Sequence, residues 1–127
     1  MPHCIVEYSD NLAADGEIAA LLEALAGRFR GAGDLFPLAG IRVRAHRVEQ
    51  YVIADGHPWN GFVHLACRIT PGRDPERIAQ FFDALFGMVT EHFAPLMANR
   101  KIGLSMDVDV STEGSSRKLQ NIVERKA

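Results

Sequence analysis

The chain switches between two hydrophobic periods. Cys4-Ile5-Val6-Glu7-Tyr8 is short and carries β-branched residues, and Ser9-Asp10-Asn11 closes it, which predicts a strand ending in a turn. Over residues 17–30 the period lengthens. Ile18, Leu21, Leu22, Leu25 and Phe29 recur at the spacing of one helix face, and Gly31 is a suitable stop. Ile41-Arg42-Val43-Arg44-Ala45-His46 then alternates apolar and polar, the mark of a strand with one apolar face. The connection between these strands, roughly thirty residues with a helix inside it, is what two parallel strands need, because a short hairpin joins only antiparallel ones.

From Phe62 the pattern restarts. Phe62-Val63-His64-Leu65-Ala66-Cys67 reads as a strand and Pro71-Gly72-Arg73 as a turn. Asp74-Pro75-Glu76 reads as a helix start, with a capping carboxylate and a proline at the first helical position. Ile78, Phe81, Phe82, Leu85, Val89 and Phe93 form the helical stripe, and Ile102, Leu104, Met106, Val108 and Val110 alternate as a last strand. At an offset of sixty residues Ile18 falls on Ile78, Ala19 on Ala79, Ala24 on Ala84 and Leu25 on Leu85, four identities in eight positions. The same offset pairs Ile5 with Leu65, so we read an internal repeat of two β-α-β units.

The predicted fold is α+β, a two-layer α/β arrangement. Two repeats, about 2–48 and 62–110, form a four-stranded sheet with two helices on one face, within one domain spanning 1–127 that ends in a C-terminal tail. The other face then needs cover, and an oligomer supplies it most economically. Between the repeats, Asp55-Gly56 and Pro58-Trp59-Asn60-Gly61 predict a small hairpin in the linker 49–61. A short helix is expected in the tail near Leu119 to Val123.

Composition narrows the partners. Fourteen basic against sixteen acidic residues leave a formal charge of −2, which argues against nucleic acid. No apolar run approaches the ~20 residues of a membrane span, and the opening lacks a basic region followed by an apolar one, so the expected location is the cytoplasm. Cys4 and Cys67 are too few and too far apart for a zinc or redox motif, and His3, His57, His64 and His92 have no metal-ligand spacing, so no metal is expected. Eleven of the basic residues are Arg and three are Lys. Most of that excess is compositional, but Arg also suits planar, two-pronged recognition of carboxylates.

Pro2 gives the charge a possible use. A methionine before so small a residue is commonly trimmed, leaving a secondary amine at the chain end, and a free amine is a usable base when deprotonated. If the first two strands are parallel neighbours, Arg42 starts its strand beside Pro2, with Arg44 and His46 on the same strand face. If the repeats are related by a twofold axis, the turn holding Arg73 reaches the same end of the sheet.

Those residues, in order, resemble the 5-carboxymethyl-2-hydroxymuconate isomerase family of the tautomerase superfamily. The likeness rests on Pro2-His3-Cys4-Ile5-Val6-Glu7 with Ser9-Asp10-Asn11, Phe36-Pro37-Leu38-Ala39-Gly40-Ile41-Arg42-Val43-Arg44 with His46, Ala54-Asp55-Gly56, Phe62-Val63-His64 and Gly72-Arg73. It is weaker in the first helix, around His57 to Asn60, and after Val110. The resemblance implies a tautomerase-like homotrimer with no cofactor, acting on a small di- or tricarboxylate in homoprotocatechuate (4-hydroxyphenylacetate) breakdown. It puts Pro2 at the family's base position and Arg42 and Arg73 where the family sets arginines on its substrate. Arg44 and His46 are secondary candidates for substrate binding. The alternatives are a related tautomerase, decarboxylase or dehalogenase acting on another unsaturated keto acid, and a non-catalytic trimeric binding module.

Overall fold

The computed structural model describes residues 1–123 and 125. Its main elements are β1 (His3–Ser9), α1 (Ile18–Arg30), β2 (Arg42–Val48), β3 (Asn60–Ile69), α2 (Pro75–Met97) and β4 (Lys101–Val110). The sheet order is β2-β1-β3-β4. β1 pairs with β2 and β3 with β4 in parallel, while the central β1–β3 pair is antiparallel. That order reads the same from either edge with the repeats exchanged, so the sixty-residue offset is an approximate twofold through β1 and β3. The halves are unequal, since α2 has 23 residues and α1 has 13.

Strand alternation sorts the sheet into two faces. Cys4, Val6, Val63, Leu65, Cys67 and Ile69 point toward the helices and are buried against Leu21, Leu25, Phe29, Phe82, Leu85, Val89 and Phe93. Asp74 caps α2 by accepting the Glu76 N–H at 3.1 Å, ahead of Pro75. Between the helices, Phe29, Phe36, Phe81 and Phe82 pack as an edge-to-face cluster; Phe29 lies 5.1 Å from Phe36 and 4.9 Å from Phe81 between ring centroids. Cys4 and Cys67 face each other across the central pair as free, buried thiols. Their mutual hydrogen bond, then burial, pushes the Cys4 thiol pKa up and keeps it protonated.

The opposite face is built differently. His3, Ile5 and Glu7 share it with Arg42, Arg44 and His46 on one edge and, across Phe62, His64, Ala66 and Arg68, with Ser105, Asp107 and Asp109 on the other. No helix of the described residues is long and apolar enough to cross a membrane.

Two local expectations fail. The linker makes its turn, with Gly56 N–H donating to Ile53 C=O at 2.9 Å, but no strands flank it. Asp55 Oδ1 instead accepts from the His57 N–H and the Asn60 side chain, so this segment closes on itself and leaves no ladder to a hairpin partner. The tail near Leu119 to Val123 is not helical; it runs as irregular chain, and Leu119 is almost fully exposed, so no apolar stripe is buried to drive a helix.

Phe29 is 1% exposed at the centre of the aromatic cluster. Phe29→Ala should cost about 3–5 kcal/mol of stability, read as a lower urea midpoint with an unchanged slope.

Candidate active site

Parallel pairing of β1 and β2 brings the start of one strand to the start of the other. The Arg42 N–H donates to the Pro2 carbonyl at 3.0 Å, and His3 is in register with Arg42. Pro2 is fully buried. Gly40 lies against the chain end, where a Cβ would come within 3.2 Å of Met1 Cα and 3.5 Å of Pro2 Cδ. Because β3 runs antiparallel to β1, its end at Ile69 delivers the turn containing Arg73 to this same end of the sheet.

Both arginines are fixed by uncharged acceptors. Arg42 Nη1 donates to the carbonyls of Ala39 and Ile41 at 2.9 and 3.0 Å, and its Nη2 to Gln120 Oε1 at 2.9 Å. Arg73 Nε donates to Leu35 C=O at 2.6 Å, and its Nη1 to the carbonyl and hydroxyl of Thr70 at 2.8 and 3.0 Å. The Arg73 guanidinium also stands 5.1 Å over the Phe36 ring, a cation–π contact. Carbonyls orient a guanidinium without cancelling its charge. Among the described residues, neither Arg42 nor Arg73 pairs with a carboxylate, nor do Arg44, Arg68, Arg117 or Lys118, whereas Arg30, Arg47, Arg77 and Arg100 each do.

The field of these charges registers on the groups inside it. Burial, followed by the positive charges of Lys118, Arg73 and Arg42, holds the chain-terminal ammonium below its usual range. Burial also lowers the Arg73 guanidinium, with no anion to offset it. His3 Nδ1 lies 3.1 Å from Arg44 Nη1, and since the guanidinium can only donate, the ring accepts there. Burial, then Arg44, the chain terminus, Arg42 and Arg68, keep the His3 pKa below its usual value, so the ring is neutral near pH 7.

The expected residues thus divide. Pro2, Arg42 and Arg73 converge, and Arg44 joins them through His3. His46 does not: it is exposed beside Glu7, four residues further along β2 than Arg42, or ~13 Å at the rise of a strand. Trp59, 58% exposed before the start of β3, lies at the opposite end of the sheet from Pro2. Four participants escape the sequence reading. His3 and Arg68 are register partners on the polar face, which alternation alone marks. Lys118 and Gln120 come from the tail, and only the folded chain shows where it lies. Among the described residues, no three His, Cys, Asp or Glu side chains gather as metal ligands.

The sheet of two β-α-β units thus brings the chain end and two carbonyl-held arginines together, an arrangement suited to holding an organic anion. The comparisons sharpen this. The family model for 5-carboxymethyl-2-hydroxymuconate isomerase matches residues 2–126, and the chain belongs to that family. It is 38% identical over 109 residues to 5-carboxymethyl-2-hydroxymuconate Delta-isomerase of Escherichia coli, covering 86% of each chain. It superposes with a TM-score of 0.89 at 39% identity on the crystal structure of a 5-carboxymethyl-2-hydroxymuconate isomerase from Deinococcus radiodurans R1, covering 94% of this chain and 90% of that one. At 19% identity, a fused 4-OT wild-type symmetric trimer shares the fold alone, with a TM-score of 0.60 over 91% of this chain and 93% of that one.

Arg44→Ala should raise the His3 pKa toward the ordinary value near ~6.5, because removing a neighbouring cation favours the protonated ring. Imidazole NMR titration checks the direction; an unchanged or lower pKa would contradict the assigned contact.

Proposed function

We propose that this chain converts 5-carboxymethyl-2-hydroxymuconate to its 2-oxo-3-ene isomer without a cofactor, with Pro2 as the base once Met1 is removed. The observation that carries this reading is the convergence of the chain end with Arg42, Arg73 and Lys118, cations that no carboxylate among the described residues neutralises. Such a site is suited to an organic polyanion. The substrate class has three carboxylates and a dienol, so it has both the charge to fill the site and an acidic hydroxyl to be relieved of a proton.

The step balances within one molecule. The Pro2 amine takes the proton of the 2-hydroxyl, the electron pair moves through the diene, and the protonated amine returns that proton to C5. One O–H bond breaks, one C–H bond forms, and the base is regenerated. Arg42 and Arg73 bind carboxylate and stabilise the charge building on the 2-oxygen; they need no reorganisation because their donors are already held. Burial and these cations lower the pKa of the terminal ammonium at Met1, and the same surroundings acting on a Pro2 amine favour its free-base form. Arg44, two residues along β2 and braced on His3, serves the far end of the substrate. His46 belongs to this task only if a neighbouring subunit approaches it.

A homotrimer completes the reading. β2 and β4 are both unpaired sheet edges, and they differ in charge: Arg42, Arg44 and His46 on one, Asp107 and Asp109 on the other. Complementary edges favour head-to-tail contact, which closes into a ring. The trimeric 4-OT neighbour supports three copies. Free Cys4 and Cys67 suit a reducing cytoplasm, and the breakdown of homoprotocatechuate is the setting in which this substrate class arises.

Untagged protein should isomerise 5-carboxymethyl-2-hydroxymuconate in a direct ultraviolet assay, and its intact mass should lack Met1. Adding one uncleaved residue before Pro2 turns the amine into an amide and should lower kcat by at least ~100-fold with the far-ultraviolet circular dichroism unchanged. Full activity in that extended protein would sink the mechanism. Light scattering should return three times the chain mass.

A further inference from the structure

The tail after β4 contacts the end of the sheet that holds Pro2. Ser111 is buried at 7% exposure, and its N–H donates to Ile69 C=O at 2.9 Å, continuing the β3–β4 ladder by one residue. A turn follows, with the Ser115 N–H and hydroxyl both donating to Thr112 C=O at 3.0 and 2.6 Å, and Gly114 at φ +79°. Positive φ is open to glycine at little cost. Ser116 comes back to Ser111, Oγ to Oγ at 3.5 Å, so the chain reverses and heads toward the N-terminus. Gln120 then reaches Arg42 Nη2, a contact spanning 78 residues.

The reversal walls one side of an open pocket of about 260 Å³ lined by Met1, His3, Arg68, Thr70, Ser116 and Lys118, among others. Its wall contains basic and neutral side chains and no carboxylate. Lys118 and Arg68 stand on opposite sources, the tail and the sheet, yet line one space beside the chain end. Arg117 differs from Lys118 in being spent on its own loop, donating to Gly114 and Ser116 carbonyls at 2.6 and 3.3 Å. Lys118 has no hydrogen-bond partner among the described residues.

We propose that the tail segment 111–120 is a wall of the substrate site, in which Lys118 receives the carboxylate of the substrate's carboxymethyl arm and Gln120 positions Arg42. This rests on the isomerase reading and adds to it a source of selectivity. Arg42 and Arg73 account for two anionic contacts, and a diacid would satisfy them; a third carboxylate needs a third cation. Lys118 also lies near the chain end: after burial, its charge is the largest influence lowering the pKa of the Met1 ammonium. Gln120 presents a neutral oxygen to Arg42, fixing Nη2 while leaving the guanidinium charge intact for substrate.

The test compares two compounds on untagged protein: 5-carboxymethyl-2-hydroxymuconate and 2-hydroxymuconate, which lacks the carboxymethyl arm. Lys118→Gln should lower kcat/KM about 10- to 100-fold on the triacid, the scale of a charge-assisted hydrogen bond, and about twofold or less on the diacid. Lys118→Arg should restore the preference, and the acid limb of kcat/KM for Lys118→Gln should move to higher pH, because one cation fewer lets the amine hold its proton longer. Gln120→Glu separates positioning from packing: it keeps the hydrogen bond to Arg42 but cancels its charge, so KM should rise about tenfold on both compounds with Tm unchanged. Equal losses on both compounds for Lys118→Gln, no loss on either, or a Gln120→Glu enzyme indistinguishable from wild type would overturn the assignment. A wild-type protein inactive on both compounds would instead overturn the isomerase reading, and the assignment with it.

Discussion

Carbonyl oxygens hold the two central guanidinium groups, and much of this molecule is arranged to make that possible. An arginine left to itself on a protein surface finds a carboxylate or water. Pairing with a carboxylate cancels the charge, and water leaves the side chain mobile. Ala39, Ile41, Leu35 and Thr70 offer a third arrangement, in which lone pairs of peptide oxygens fix Arg42 and Arg73 while the net positive charge survives. Leaving such charges unneutralised while burial removes water from them is costly, and it is tolerable here because each group makes several charge-assisted hydrogen bonds.

Three of those carbonyls, of Leu35, Ala39 and Ile41, come from the parallel pairing of β1 and β2, and that of Thr70 from the turn after β3. Parallel strands force a crossover, and the chain must travel back from the end of α1 to the start of β2 beside the N-terminus. That return segment, residues 33–41, contributes Leu35 and Phe36 to Arg73 and Ala39 and Ile41 to Arg42. The same Phe36 that underlies Arg73 belongs to the Phe29–Phe81–Phe82 cluster between the helices. Core packing and site geometry therefore share one aromatic ring, and the placement of Arg73 inherits the rigidity of the core.

Periodicity made most of the fold legible. Ile18 to Phe29 and Ile78 to Phe93 mark helices because their apolar faces are buried, and the alternating strands are readable for the same reason. The sixty-residue repeat gave the strand order its symmetry, and with it the meeting of Arg73 and Pro2. The linker and the tail were not legible, since neither buries an apolar face. What shapes them is side-chain hydrogen bonding, Asp55 to His57 and Asn60 in one and Ser115 to Thr112 in the other, and such contacts leave no period in a sequence. Lys118 and Gln120 leave no sequence signal for this reason, and His46 shares the face of Arg42 as alternation predicts but stands four residues further along it, a distance that alternation does not specify.

On the proposed mechanism the base is an amine, and an amine is well matched to this setting. A carboxylate base would pair with Arg42 or Arg73, losing its own proton affinity and cancelling the charge that substrate is to meet. A neutral amine coexists with both, and burial, then the charges of Lys118, Arg73 and Arg42, disfavour a further positive charge at the chain end and lower the pKa of its ammonium. On the isomerase reading the balance reverses when substrate arrives. Its carboxylates screen the arginines and Lys118, the penalty on an ammonium falls, and the proton affinity of the amine rises while the 2-hydroxyl lies beside it. On that reading the cations that disfavour an ammonium at the chain end are those whose neutralisation by substrate equips the amine to take the proton, so binding and proton transfer are linked through one set of charges.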